Sequence, residues 1–306
     1  MQNKELNIFV KDKNNVYTDI HPDFVTGLFE AEGSFSITKK MDNKSKHGIS
    51  LGLRFKLTML ENESSLLEAI KLFFKCGNMF KGKDGSLSYI VKDIDSINNK
   101  IIPHFNNYPL RGTKYLDFIS FKEALYIINS KRHLTLEGIN EILELSKSMN
   151  THRNIIEEYS PMHTNADNTN YIPINGHYIN GFIAGDGCLS FNIKDKNFGR
   201  MSLQISQHND NILLINSIAS YFKSPSKVYY HDINSIQLTL SGSKLWETII
   251  FDHFIKYPLY GTKTERLKKL FLIRELTLDK KHLIKKDRCR IWDPKVKSQI
   301  IIIWNS

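Results

Sequence analysis

The feature that most limits how this chain can fold is that it carries the same pattern twice. Residues 25–35 read VTGLFEAEGSF and residues 179–189 read INGFIAGDGCL, which sets Gly27 on Gly181, Ala31 on Gly185, Glu32 on Asp186 and Gly33 on Gly187. Further along, YPLRGTK at 108–114 returns as YPLYGTK at 257–263, and His133-Leu134 returns as His282-Leu283. Landmarks repeated in one order, with length differences only between them, indicate two copies of one unit rather than a single large domain.

Within each copy the residue periodicities agree. Pro22 and Asp23 open a helix, since proline suits the first helical position and an acid suits the positive end of the dipole, and Gly33 closes it. Two strands follow. Phe35 and Ile37 alternate with Ser34, Ser36, Thr38 and Lys40, and then Leu51, Leu53, Phe55 and Leu57 alternate with Ser50, Arg54, Lys56 and Thr58. In the second copy Leu189, Phe191 and Ile193 alternate with Ser190, Asn192 and Lys194, and Leu203 and Ile205 with Ser202, Gln204, Ser206 and His208. Period-two alternation predicts a sheet with one packed and one wet face. A helix is expected next (64–74; 211–222), then two strands (78–83 and 87–92; 226–231 and 235–241), then helices around YPLxGTK. The expected fold is α+β: two pseudo-twofold-related αββαββα units, each with a four-stranded antiparallel sheet. Their expected bounds are 22–147 and 177–283. Residues 1–21 read as an N-terminal arm, 148–176, rich in Asn, Thr, His and Pro, as a linker, and 284–306 as a basic C-terminal tail.

Composition narrows the partners. Lys and Arg number 42 against 32 Asp and Glu, a formal charge of +10, which argues for a polyanionic partner. With 41% hydrophobic and 24% charged residues, disordered and coiled-coil readings are excluded. The three cysteines (Cys76, Cys188 and Cys289) are far apart and show no CxxC spacing, so neither a disulfide framework nor a structural zinc site is expected. The first 20 residues lack the apolar core of a signal peptide and carry Glu5 and Asp12, against a transit peptide. No apolar run is long enough to span a membrane, the longest conspicuous one being Ile300 to Trp304.

The chemistry sits at the ends of the two repeated helices. Gly27 and Ala31 are four apart, as are Gly181 and Gly185, so each helix presents a small-residue stripe on which another backbone can settle. Packing the two stripes together brings the carboxyl ends of the helices together, and with them Glu32 and Asp186. Two carboxylates at two negative dipole ends repel unless a cation lies between them, and a hard divalent ion completed by phosphate oxygens and water meets that need. Glu30 is matched by Ala184, so metal binding is assigned to Glu32 and a structural or solvent-facing role to Glu30. An E-x-E at one helix end is by itself an ordinary solvated pair; duplication beside small-residue stripes gives it weight. The histidines read as surface or DNA-contact residues.

VTGLFEAEG and INGFIAGDG resemble the two copies of the motif for which LAGLIDADG homing endonucleases are named, and the chain resembles a single-chain, two-motif member. The YPLxGTK elements and HLTLEGINEILELSKSMN (133–150) resemble the family's downstream sequences, so the likeness covers nearly the whole chain. It departs in two places: Ala184 and Gly185 stand in the second motif where the name has acid and alanine, and the first motif has Glu for both aspartates. The resemblance implies a DNA-binding saddle of two sheets and a staggered double-strand break with 3′ overhangs. The implied cofactor is Mg²⁺, with Mn²⁺ able to substitute and Ca²⁺ binding without turnover. Glu32 and Asp186 become the metal-binding catalytic acids, with the backbone of Ala31, Gly33, Gly185 and Gly187 beside them. Lys114 and Lys263 become the basic residues of the third element, and Lys56 and Gln204 the polar strand residues near the active site. Base-reading candidates are the wet-face residues Ser36, Thr38, Lys40, Arg54, Lys56, Asn192, Lys194, Gln204, Ser206, Gln237 and Thr239.

The implied partner is double-stranded DNA, with host intron RNA as a second partner and no membrane or protein partner required. Alternatives are an intron-encoded maturase and a DNA-binding protein that has lost cleavage; intact Glu32 and Asp186 argue against the latter. HNH chemistry lacks its His/Asn cluster, and a dinucleotide fold fails because the glycines end helices rather than follow strands. Abundant Ile, Asn and Lys point to an A+T-rich genome, so the expected setting is an organelle, mitochondrial first and chloroplast second, with synthesis inside it.

Overall fold

The computed structural model describes residues 17, 19–150, 173–194, 198–277, 283–286 and 289–306. Among these residues the chain forms two compact units, the first running through Gly185 and the second starting at Asp186.

The first unit opens with α1 (Pro22–Glu32). Proline occupies its first turn, and the cap is supplied by His21, whose Nδ1 accepts the Asp23 amide at 3.2 Å. Gly33 ends the helix in extended geometry (φ −87°), so its value is not a left-handed turn. The Phe29 ring fills the space a Cβ would need there. The chain passes directly into β1 (Gly33–Met41), turns back as β2 (Ile49–Leu60), and after α2 (Ser64–Phe74) adds β3 (Asn78–Lys81) and β4 (Ser86–Val91). The strands are antiparallel in the order β1-β2-β4-β3. Alternation works as expected: Phe35, Phe55, Leu57 and Tyr89 face inward, and the Phe29 ring stacks on Phe55 at 4.5 Å.

A helix in three parts follows: α3 (Ile94–Ser96), a π-helical turn (Ile97–Ile101) and α4 (Ile102–Asn107). Beyond the YPLRGTK loop come α5 (Lys114–Asn129), α6 (Leu136–Lys147) and α7 (Gly176–Asp186). The ends of the expected linker are ordered parts of this unit. Met149 is buried, and Asn150 donates to the Asp117 carboxylate and to the Phe35 carbonyl at 2.9 and 3.1 Å. Residues 151–172 lie outside the described residues, as does most of the expected N-terminal arm.

The second unit repeats the plan. β5 (Gly187–Lys194), β6 (Phe198–His208), α8 (Ile212–Tyr221), β7 (Tyr229–Tyr230) and β8 (Ser235–Ser241) give a sheet of order β5-β6-β8-β7. The strand expected at 226–231 is only two residues long. Then come α9 (Ser243–Leu245), a second π-helical turn (Trp246–Ile250), α10 (Phe251–Lys256) and α11 (Lys263–Thr277). The tail region forms β9 (Leu283–Lys286), paired with β10 (Cys289–Trp292), and α12 (Pro294–Asn305), which packs on α11.

Two histidines correct the sequence reading. His104 and His253, equivalent in the repeat, are buried rather than surface or DNA-contact residues. His104 bonds Thr26 Oγ1 at 3.0 Å amid Phe73, Phe74 and Phe105; His253 bonds the Tyr221 hydroxyl at 3.0 Å amid Phe222 and Phe254. A neutral imidazole that is hydrogen-bonded is a tolerable core group, and burial lowers the His104 pKa to about 3.

Candidate nucleic-acid interface and acidic centres

The small-residue stripes do what their spacing predicts. A Cβ on Gly27 would lie 2.8 Å from the Tyr178 carbonyl carbon and 3.0 Å from the Phe182 nitrogen, and nearer still to the Tyr178 oxygen. A Cβ on Gly181 would lie 2.7 Å from the Leu28 nitrogen. α1 and α7 therefore touch backbone to backbone. This contact explains why α7, which opens the second sequence repeat, packs with the first unit.

Glu30 takes the structural half of its two expected roles. It is 4% exposed, and its Oε2 accepts the Arg111 and Gly112 amides at 2.7 and 3.1 Å and the Tyr178 hydroxyl at 2.9 Å. One carboxylate thus fastens the YPLRGTK loop to α1 and α1 to α7. Burial, with the Glu30 charge behind it, raises the Tyr178 pKa well above its ordinary value. The docked loop in turn delivers Lys114, the first residue of α5, to the carboxyl end of α1. Its ammonium donates to the Phe29, Glu30 and Ala31 carbonyls at 3.0, 2.8 and 3.5 Å. A cation there offsets the negative dipole end that Glu32 would otherwise have to share. Lys263 holds the equivalent first position of α11.

Glu32 is the last residue of α1 and Asp186 the last of α7; both are half-buried. In each copy the next residue begins a strand, so each acid stands at the foot of a sheet. Asp186 Oδ2 accepts from Gln207 Nε2 at 2.8 Å. Sequence reasoning missed Gln207 because it lies on the apolar-phase side of β6. Strand register shows what stands in its place in the first copy: Gly33 pairs with Leu57 and Gly187 with Ile205, so Gln207 corresponds to Met59. The same register sets Lys56 opposite Ser34 and Gln204 opposite Cys188, second residues of β1 and β5, as equivalent positions near the acids.

Cross-strand pairing places the predicted reading residues. On β1 and β2, Ser36, Thr38, Lys40, Arg54 and Lys56 share one face of the first sheet; Asn192, Gln204, Ser206, Gln237 and Thr239 share one face of the second. Lys194 holds the matching strand position, with its side chain outside the described residues. The rows also include residues the strand-by-strand reading left out: Asn78, Phe80, Ser88 and Ile90 on the first sheet, and Arg200, Tyr229 and Ser241 on the second. Neither face has an Asp or Glu in its described rows. Arg54 Nε and Thr239 Oγ1, both on these faces, are shielded from solvent without a hydrogen-bond partner among the described residues, groups that an incoming polar ligand would satisfy.

The donor chemistry fits a hard divalent ion. Glu32 and Asp186 offer carboxylate oxygens, and among the described residues no three His, Cys, Asp or Glu side chains converge on one point. Such a donor set can supply part of a hard ion's shell, the remainder falling to water and phosphate oxygens.

The model of the LAGLIDADG endonuclease family matches residues 25–125 and 179–273. The chain is 27% identical over 276 residues to "Probable intron-encoded endonuclease 3" of Neurospora crassa, covering 86% of this chain and 52% of that protein. It is 28% identical over 298 residues to "Probable intron-encoded endonuclease 2" of the same fungus, covering 92% of this chain and 65% of that protein. The crystal structure of the I-LtrWI LAGLIDADG homing endonuclease bound to target DNA matches with a TM-score of 0.79 at 28% identity, over 93% of this chain and 96% of that one. With both motifs matched, and each ending in an acid at the foot of a four-stranded antiparallel sheet, the chain belongs to the LAGLIDADG endonuclease family.

Proposed function

We propose that this chain is a site-specific homing endonuclease that recognises a long, asymmetric DNA duplex and hydrolyses one phosphodiester bond in each strand, leaving 3′ overhangs. The observation that carries the reading is the repeated placement of a carboxylate at the foot of a sheet face rich in hydroxyl, amide and cationic side chains and free of carboxylates in its described rows. Such a face suits contact with base edges and phosphates, and the acid beside it suits chemistry on the phosphate backbone.

Glu32 and Asp186 would each hold a divalent ion, Mg²⁺ by preference. When bound, that ion supplies charge for the phosphoryl oxygens and a more acidic water. Lys114 holds positive charge on the last carbonyls of α1, at the helix end that carries Glu32. Gln207 holds the Asp186 carboxylate in place through Oδ2. Lys56 and Gln204 lie where polar groups can order water near the scissile phosphates. The relatives named as intron-encoded support a mobile-intron role, and the Ile-, Asn- and Lys-rich composition supports an organellar, most simply mitochondrial, genome.

The test uses a plasmid carrying the uninterrupted junction into which this gene's own intron inserts. With Mg²⁺ the protein is expected to linearise it, leaving 3′ extensions at both ends. Glu32→Gln and Asp186→Asn are each expected to bind the plasmid without double-strand cleavage. Cleavage that survives both substitutions would sink the proposal.

A further inference from the structure

Three side chains lie in one row across the polar face of the second sheet. Tyr229 of β7 is opposite Gln237 of β8, which is opposite Ser206 of β6. They are joined: the Tyr229 hydroxyl donates to Gln237 Oε1, and Gln237 Nε2 donates to Ser206 Oγ at 2.9 Å. A glutamine amide has two N–H donors and two acceptor lone pairs. One of each is taken by a flanking strand, so one of each remains. Adenine in the major groove asks for that combination, offering the N7 acceptor beside the N6 donor. The bracing fixes the amide before DNA arrives, which an isolated glutamine on a wet strand cannot achieve.

The equivalent row of the first sheet has unlike chemistry. Phe80 of β3 is opposite Ser88 of β4, which is opposite Thr58 of β2. Here the two hydroxyls bond each other at 2.9 Å and Ser88 is buried, so the polar groups of the row are turned on themselves. What the row offers outward is the Phe80 ring, 47% exposed, with the Lys92 ammonium 5.4 Å from its centroid. An exposed aromatic edge on a DNA-facing sheet matches the one apolar group of the major groove, the thymine methyl.

We propose that this cross-strand row is a specificity element with a different alphabet in each copy: Gln237, held by the positioning residues Tyr229 and Ser206, reads an adenine, and Phe80 reads a thymine through its methyl group. The inference rests on the DNA-recognition reading above. It adds an assignment of base type to residue, and of a positioning role to Tyr229, which touches no base.

The test is selection of bound duplexes from a randomised library by the full chain with Ca²⁺, followed by affinity measurements on the enriched site with modified bases. One adenine position is expected at which 7-deazaadenine, which lacks N7, weakens wild-type binding about tenfold, the scale of one bidentate base contact. Gln237→Ala should bind the enriched site equally weakly and be indifferent to the 7-deaza change. Tyr229→Phe keeps the ring and loses only the brace. It should lower the adenine preference at that one position while leaving the salt dependence and every other position unchanged, a pattern that a general loss of folding would not give. In the other half-site, uracil in place of one thymine should weaken the wild type but not Phe80→Ala. A site that is enriched yet shows neither dependence overturns the row assignment and leaves the endonuclease reading standing. A library from which nothing is enriched overturns site-specific recognition itself, and this inference with it.

Discussion

Replacing Gly27 by alanine tests the helix contact on which the acidic centres depend. The new Cβ would sit 2.8 Å from the Tyr178 carbonyl carbon and closer to its oxygen. Carbon pairs settle at about 3.5–4.0 Å, so α1 and α7 must separate by roughly 1 Å. A gap of that size forfeits up to about half of the dispersion energy of each contacting pair along the seam. Over-packing of this kind costs about 1–3 kcal/mol, and the neighbours here are backbone atoms that cannot swing aside, which puts the cost at the upper end. Removing a glycine from a helix interior returns about 1 kcal/mol. The expected net loss is about 2 kcal/mol, read as a lowered urea midpoint in circular dichroism. Gly181→Ala should behave alike, since its Cβ would meet the Leu28 nitrogen at 2.7 Å. The double variant should lose less than the sum, because the first separation already makes room for the second methyl. Gly52→Ala is the control: its Cβ would meet only the Thr38 hydroxyl at 3.1 Å, in a strand. Alanine at 27 that leaves stability equal to or above wild type would refute the close-contact argument.

Other outcomes follow from the same geometry. Glu30→Ala strands three donors that now share one carboxylate oxygen and should cost on the order of 3 kcal/mol, measured by denaturant titration. Gln207→Leu removes one hydrogen bond from the Asp186 carboxylate and should slow one strand's cut more than the other's, so that nicked circles accumulate during digestion of a supercoiled plasmid; equal slowing of both strands would count against a separate role for this residue. Lys114→Met removes a cation from three carbonyls and should cost about 2 kcal/mol of stability while lowering cleavage more than DNA binding. The His104 imidazole, lowered to about 3 in the fold against about 6.5 unfolded, binds fewer protons folded than unfolded. Its contribution is therefore complete above pH 6.5 and lost progressively as pH falls toward 3. His104→Gln should give a shallower acid loss of the urea midpoint over that window.

Much of this molecule could be read before any coordinates, and for a physical reason: duplication sorts signal from noise. A single E-x-E is uninformative, but Glu32 matched by Asp186 and Glu30 by Ala184 separates the two acids, and the buried, triply bonded Glu30 agrees with that division. Strands were readable because each sheet has one wet face, and α2 because its apolar residues recur at helical spacing. What sequence could not supply was identity across strands. Gln207 lies in the apolar phase of β6, and only a bond running back to Asp186 reveals it. Arg200, Phe80 and Tyr229 join the polar rows only when register sets them opposite known members. The buried histidines were misplaced because imidazole is polar by composition, and only the closure of aromatic rings around His104 and His253 shows it as core.

The π-helical turns speak to the history of the chain. Ile97–Ile101 reads INNKI and Trp246–Ile250 reads WETII, sharing only the final isoleucine, yet both sit between the last sheet strand and the YPLxGTK loop of their copy. An extra residue wound into a helix is hard to gain twice at one place, so the irregularity belonged to the ancestral unit before it was doubled, and shape has outlasted spelling. Each copy has since found its own fastening: Asn98 accepts from Asn129 at 3.1 Å, while Glu247 pairs with Arg274 at 2.8 Å. Deleting one residue from either turn would restore ordinary winding and rotate the following helix by about 100°. That would swing its histidine out of the aromatic cage and, in the first copy, the following loop off its Glu30 anchor, so the surplus residue there serves as an angular spacer that keeps Lys114 in place.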